Sequence, residues 1–453
     1  MLSNQTVRLG LKELMALLFC VVLGFANTAM AEQGSGFSLT PFSSVAVIGP
    51  IDDPVAANET AKAVATALAT YVATVDDTQE PTSFPENWVL GGLEGEATAE
   101  SIEAAILRIP TPYVIDPDEP MSASNRKKVN VVEMCNPLFA KKALGVLPVV
   151  DGDDSTKIVN GYIHATALPC EVAIYADEAG YIKVEMLNPE AIFTLFFTDV
   201  LFGDQMLDPV FADAIQELPV VVNGEIKTII YLALDQGGFA YDEKSMPLGL
   251  KYHSLEQVAE TVANTPYQSP YVHFTYKKRR GGDFTSDEVS TIAASIINIL
   301  SLDGVHDRRL DRWLNMDDWR SARPSALPVP GNLVIEACSP TNAIAAMGLG
   351  LHHATALPCE ISVKAVNLDG EGGNEKVMIS YLDPHFMFSA LFSDAFDDLT
   401  EEELDTFLAL PPLVLEDLQT IVKVAMYPVN LDGLALNRPV QVFFTMLPDE
   451  EQD

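Results

Sequence analysis

Four cysteines and two histidines stand at matched places along this chain, and their side chains are the ones best suited to chemistry. Cys135 and Cys170 fall in the first half, Cys338 and Cys359 in the second. His164 lies six residues before Cys170, and His353 six residues before Cys359. Paired cysteines in an oxidising compartment form structural disulfides, here Cys135–Cys170 and Cys338–Cys359. Loops of this length would give about 3–4 kcal/mol on the chain-entropy model. Cys135 and Cys338 also directly precede helix starts, where the positive end of the helix dipole would favour a reactive thiolate. A chain that folded back to gather two sulfurs and an imidazole would make a soft site for copper or zinc. Buried, reduced cysteines are the fourth reading. Neither Cys-x-x-Cys nor the haem signature Cys-x-x-Cys-His occurs. No cofactor is firmly implied.

These residues belong to a repeated pattern. His164-Ala165-Thr166-Ala167-Leu168-Pro169-Cys170-Glu171 recurs unchanged as His353-Ala354-Thr355-Ala356-Leu357-Pro358-Cys359-Glu360. Glu133-Met134-Cys135-Asn136-Pro137 is echoed by Glu336-Ala337-Cys338-Ser339-Pro340, and Asn188-Pro189 by Asp383-Pro384. Phe193, Phe197 and Asp199 have counterparts in Phe388, Phe392 and Asp394. Such self-similarity marks a duplicated structural unit.

The elements that must position these residues read alike in both halves. A strand (Val45 to Ile48; Val272 to Tyr276) leads to an amphipathic helix (about Glu59 to Val75; about Asp287 to Leu300). A second strand (Val129 to Met134; Leu333 to Ala337) brings up the first cysteine. Asn136-Pro137 and Ser339-Pro340 then set a capping side chain before a proline at the first helical position, where its missing N–H costs nothing. Asn188-Pro189 and Asp383-Pro384 repeat the device. A hairpin follows Leu168-Pro169 and Leu357-Pro358, from Glu171 through the Ala179-Gly180 turn to Met186, and from Glu360 through Asp369 to Gly373 to Tyr381. Hairpins mixed with helices, without strict βαβ units, give α+β: two tandem copies of a two-layer module, an antiparallel or mixed sheet with helices on one face. The modules span 40–235 and 268–449. An acidic Pro/Gly-rich insertion near 78–125 reads as loop, and 236–267 as a linker with one polar helix, Ser254 to Ala263.

The Cys-Asn-Pro step, the Leu-Pro-Cys entry to a hairpin and the closing Asn/Asp-Pro resemble the family called domain of unknown function 302. Ser339 replaces the asparagine in the second half. The resemblance implies a compact two-layer α+β module that occurs in tandem or as a dimer. It brings no settled activity and no catalytic residues.

Arg8 and Lys12, the apolar stretch Leu14 to Ala26 and Ala29-Met30-Ala31 read as a secretory signal peptide over 1–31, too short to span a bilayer. The expected product is soluble, without a stable membrane anchor, and periplasmic or extracellular. The formal charge is −37, which disfavours nucleic acid and anionic membranes. Lys277 to Arg280 is a short basic exception. No Gly-x-Ser-x-Gly, phosphate loop, His-Glu-x-x-His or dinucleotide fingerprint occurs. The leading expectation is a non-catalytic protein that binds a small molecule or protein partner, its modules paired as an intramolecular pseudo-dimer. The alternative is thiol-redox or metal handling through the cysteines, with His164 and His353.

Overall fold

The computed structural model describes residues 39–74, 87–93, 95–144, 161–168, 170–198, 209–278, 282–301, 308–313, 322–324, 332–357, 359–366, 376–426 and 440–443. The expected signal peptide, the turn from Asp369 to Gly373, and Asp199, Pro169 and Pro358 lie outside the described residues.

Every named strand pairs antiparallel. The first sheet contains β1 (Phe42–Ile48), β2 (Val89–Leu90), β3 (Leu107–Val114), β4 (Arg126–Cys135), β5 (Cys170–Ala176), β6 (Ile182–Leu187) and β7 (Asp242–Leu248). Its order is β2-β4-β5-β6-β1-β7, with β3 also on β4. The second sheet contains β8 (Tyr271–Lys278), β9 (Ala322–Pro324), β10 (Asn332–Ala337), β11 (Cys359–Val366), β12 (Lys376–Leu382) and β13 (Val440–Phe443), in the order β13-β8-β12-β11-β10-β9. The run β4-β5-β6-β1 thus has the same chain order as β10-β11-β12-β8.

Proline-led caps form as expected. Asn136 Oδ1 accepts from the amides of Leu138 and Phe139, and Ser339, Asn188 and Asp383 cap their helices likewise. Thr285 and Glu288 close a capping box. In the first hairpin Gly180 has φ +79°, and a Cβ there would stand 2.1 Å from the Ile51 carbonyl.

Two stretches differ from expectation. The segment near 78–125 is not all loop: it holds β2, a helix Ala99–Ala105 and β3. Acidic and proline residues obscured its alternation, and Pro110 and Pro112 sit within β3 itself. The stretch 236–267 supplies edge strand β7 beside β1, as well as the helix Leu255–Ala263 capped by Ser254. An edge strand with mostly exposed side chains carries little hydrophobic signal.

Strand alternation divides each sheet between two environments. In the second sheet Ile335, Ala337, Ile361, Val363, Ile379 and Tyr381 pack with Ile292 and Ile296 of helix Ser286–Ser301 and Leu418 and Ile421 of helix Leu410–Met426. Val334, Cys338 and Leu382 belong instead to a larger core that runs into the first half. A 3-10 segment, Gly161–Ala167, lies against β10, β11 and β12, while its counterpart Leu351–Ala356 lies against β4, β5 and β6. Each half therefore lays the same repeated segment across the other half's sheet. Tyr271 Oη donates to the Phe196 carbonyl at 2.9 Å and Tyr252 Oη to the Ala390 carbonyl at 3.0 Å, tying the halves on both sides of the seam.

Candidate functional site: two matched clefts and a polar seam

β4 ends at Cys135 because Asn136-Pro137 turns the chain into a helix, and this turn forms one wall of a cleft. Trp88, Ala140, Leu168, Pro189 and Phe193 complete most of the lining. In the other half Cys338, Ser339, Trp313, Ala343, Leu357, Pro384 and Phe388 enclose a second cleft. The two hold about 490 and 430 Å³, open mouths included. Each tryptophan is anchored through its indole N–H. Trp88 Nε1 donates to Glu225 Oε2 at 2.6 Å, and Trp313 Nε1 donates to Asp417 Oδ2 at 2.9 Å. Arg312 also grips Asp417, with Nη2 2.6 Å from Oδ1 and Nε 3.2 Å from Oδ2. Most of the remaining wall is apolar, Asn342 adds a side-chain amide to the second cleft, and the cap residues Asn136 and Ser339 are engaged by helix amides.

The expected Cys135–Cys170 bond is not formed: both are free thiols lining the first cleft. Cys170 is the ladder partner of Met134, one residue short of Cys135. The two cysteines are therefore not directly opposite one another in the ladder. Cys338 is buried, and the Cys359 side chain lies outside the described residues. Burial pushes the Cys135 thiol well above its ordinary range, with Cys170, Glu133 and Glu360 adding to the effect. Cys170 keeps some exposure, yet burial and the charges of Glu171, Glu360 and Glu133 push it up to about 12. Burial thus works against the helix-start activation expected for Cys135.

The repeated histidines lie in the seam. His164 stacks on Phe197 at 4.4 Å and meets the edge of Tyr271 at 5.2 Å. His353 stacks on Phe392 at 4.5 Å and meets Phe42 at 5.5 Å. Each thus packs on its own half's phenylalanine and on the first residues of the opposite half's strand. Among the described residues His353 gathers with no cysteine. Its Nε2 lies 2.9 Å from Asp394 Oδ1, and His352 Nε2 lies 3.1 Å from Asp394 Oδ2. Burial and the neighbouring His352 lower His353 to about 4, against the opposing pull of Asp394. Burial works against charge on Asp394, but the two histidines outweigh it and hold the carboxyl well below the usual range.

Around this group the first sheet presents Glu185, which accepts a 2.6 Å hydrogen bond from Tyr175 Oη. Burial raises Glu185 despite that bond and the nearby charge of His352. The polar character extends along the seam: Glu133 faces Glu171, and Glu336 faces Glu360, with all four buried. Lys364 stands at the place on β11 that Tyr175 holds on β5, and burial lowers it to about 7.

Of the repeated motif residues, Leu168 and Leu357 line the clefts, and Asn136 and Ser339 cap helices beside them. Trp88, Trp313, Asp394 and His352 were missed as site residues. A signal existed for Asp394, since an aspartate follows the paired phenylalanines in both halves. None existed for His352, whose place in the first half is taken by Ile163.

The chain is therefore an α+β protein of antiparallel sheets whose candidate sites lie in two clefts and the seam. Residues 323–409 match the family described as Domain of unknown function DUF302. That span runs from β9 to just past helix Glu401–Leu408 and contains most of the second cleft, His352, His353 and Asp394. No curated protein and no solved structure matches the chain. No helix among the described residues is long and apolar enough to cross a membrane.

Proposed function

We propose that this chain is an exported, non-catalytic binding protein built from two copies of one DUF302-type module. The copies pair as an intramolecular pseudo-dimer, and each module receives a small apolar molecule, or the apolar group of a partner, in its cleft. The observation that carries this reading is the matched pair of clefts. Both have a tryptophan held by a carboxylate on a following helix, a cysteine at a strand end, a helix-opening proline and a phenylalanine. Concave apolar surface forgoes packing contacts, so its retention at one place in both halves argues for use. Apolar walls with few polar groups suit binding rather than catalysis. The thiol-redox alternative draws little support from thiols held protonated by burial.

The test uses the full chain and the neutral fluorescent probe N-phenyl-1-naphthylamine, read by energy transfer from tryptophan. Saturable binding at two sites is expected. Ala140→Leu and Ala343→Leu, which fill one cleft each, should each remove one site, and the double variant both. Binding that does not saturate, or that survives the double substitution in a folded protein, would contradict the reading.

A further inference from the structure

We infer that His352, His353 and Asp394 form a binding site for a divalent first-row transition-metal ion at the seam between the halves. The inference is independent of the apolar clefts and can stand if they fail. Among the described residues this is the one group of three or more such side chains with its ligand atoms within 4.8 Å of one another. Two imidazoles and a carboxylate are a donor set that zinc, cobalt, nickel and copper accept, and it leaves coordination positions open.

Both histidines reach the same carboxylate through Nε2, at 3.1 and 2.9 Å. Those separations are close to the spacing of neighbouring ligands around an ion bound at about 2.0–2.2 Å. An ion can therefore take the place of the shared protons with small side-chain movement. The ligands are also fixed in advance. His353 is wholly buried between Phe392 and Phe42, and the His352 ring lies 3.9 Å from it and 5.0 Å from Phe42. His352 and Asp394 each keep 19% side-chain exposure, which provides an entry path. His353 Nδ1 is buried with the Gly350 carbonyl beside it, short of full hydrogen-bond geometry. A carbonyl in that place suits an imidazole that ligates through Nε2.

The first half contributes from across the seam. Glu185, hydrogen-bonded to Tyr175, lies close enough to His352 to feel its charge. A second carboxylate near the ion would help balance its charge and couple metal binding to the fit of the two halves. The matching place in the first half has Ile163 for His352, so the site belongs to one side of the seam only.

The experiment takes the full chain, free of any affinity tag and stripped by chelator, and titrates it with Zn²⁺ and Co²⁺. One ion per chain is expected, with visible d–d absorption from bound Co²⁺. Pulsed EPR of the Cu²⁺ form of the unaltered protein should show two coordinated imidazoles, a readout that needs no variant. His352→Ala and Asp394→Asn should each weaken Zn²⁺ binding about a hundredfold or more, with circular dichroism melts confirming that they fold. The exposed His253→Ala should change nothing. Failure to take up an ion, a Cu²⁺ spectrum without imidazole nitrogen, or undiminished binding in both folded variants would overturn the inference.

Discussion

At neutral pH Cys170 keeps its proton, because an apolar cleft and three nearby glutamates make a thiolate unfavourable there. Alkylation of the native protein by iodoacetamide at pH 8 should be roughly a thousandfold slower at this residue than in urea. Equal rates would mean that the thiol is not held as described. The same shift has a sign for stability. The folded state holds a proton up to about pH 12 that the unfolded chain loses near pH 8.5. Stability is therefore lost as pH rises through that window. Melting temperatures from pH 8 to 11 should fall less steeply in Cys170→Ala than in the parent. The two tryptophan anchors make a second contrast. Asp417 is buried and serves both Trp313 and Arg312, whereas Glu225 is half-buried and serves Trp88. Asp417→Ala should cost about 2–4 kcal/mol and Glu225→Ala about 1 kcal/mol or less in urea unfolding. The reverse order would show that the anchors are not placed as seen.

Among the elements, the repeated 3-10 segments differ most from what their sequence announces. The octapeptide beginning at His164 and His353 marks a shared local structure, and each hairpin after it forms at the expected place. Nothing in eight identical residues says which sheet they will cover, because Ala, Thr and Leu suit either face. The crossing of each segment onto the opposite sheet is a tertiary choice, visible only when both sheets are present. The caps were legible because an Asx or Ser side chain before proline has one favourable use. β3 and β7 were not, because prolines and exposed side chains hide a strand's alternation. The seam predicts its own energetics. Tyr271→Phe and Tyr252→Phe each remove one hydrogen bond between halves and should cost about 1 kcal/mol. Lying on opposite sides of the seam, their effects should add within about 0.5 kcal/mol in thermal or urea melts. Strong non-additivity would mean that the two sides of the seam are coupled.

For the whole molecule, the α+β class and most strand positions followed from hydrophobic alternation, proline placement and the internal repeat. The functional geometry was less legible. Cysteines drew attention as disulfide, redox or metal residues, but Cys135 and Cys170 are free thiols in a cleft wall. The histidines were singled out as ligands beside the cysteines, but His353's partners came from a neighbour in sequence and from an aspartate forty-one residues on. Trp88 and Trp313 sit at unlike distances from the cysteines they accompany, so no fixed spacing linked them. The central claim is that one binding cleft was made twice. Its most direct test is a crystal of the full chain pressurised with xenon, which settles in apolar space. The account predicts a xenon atom beside Trp88 and another beside Trp313, at positions that coincide when the two halves are superposed. Xenon in neither cleft, or at places that do not coincide, would contradict it.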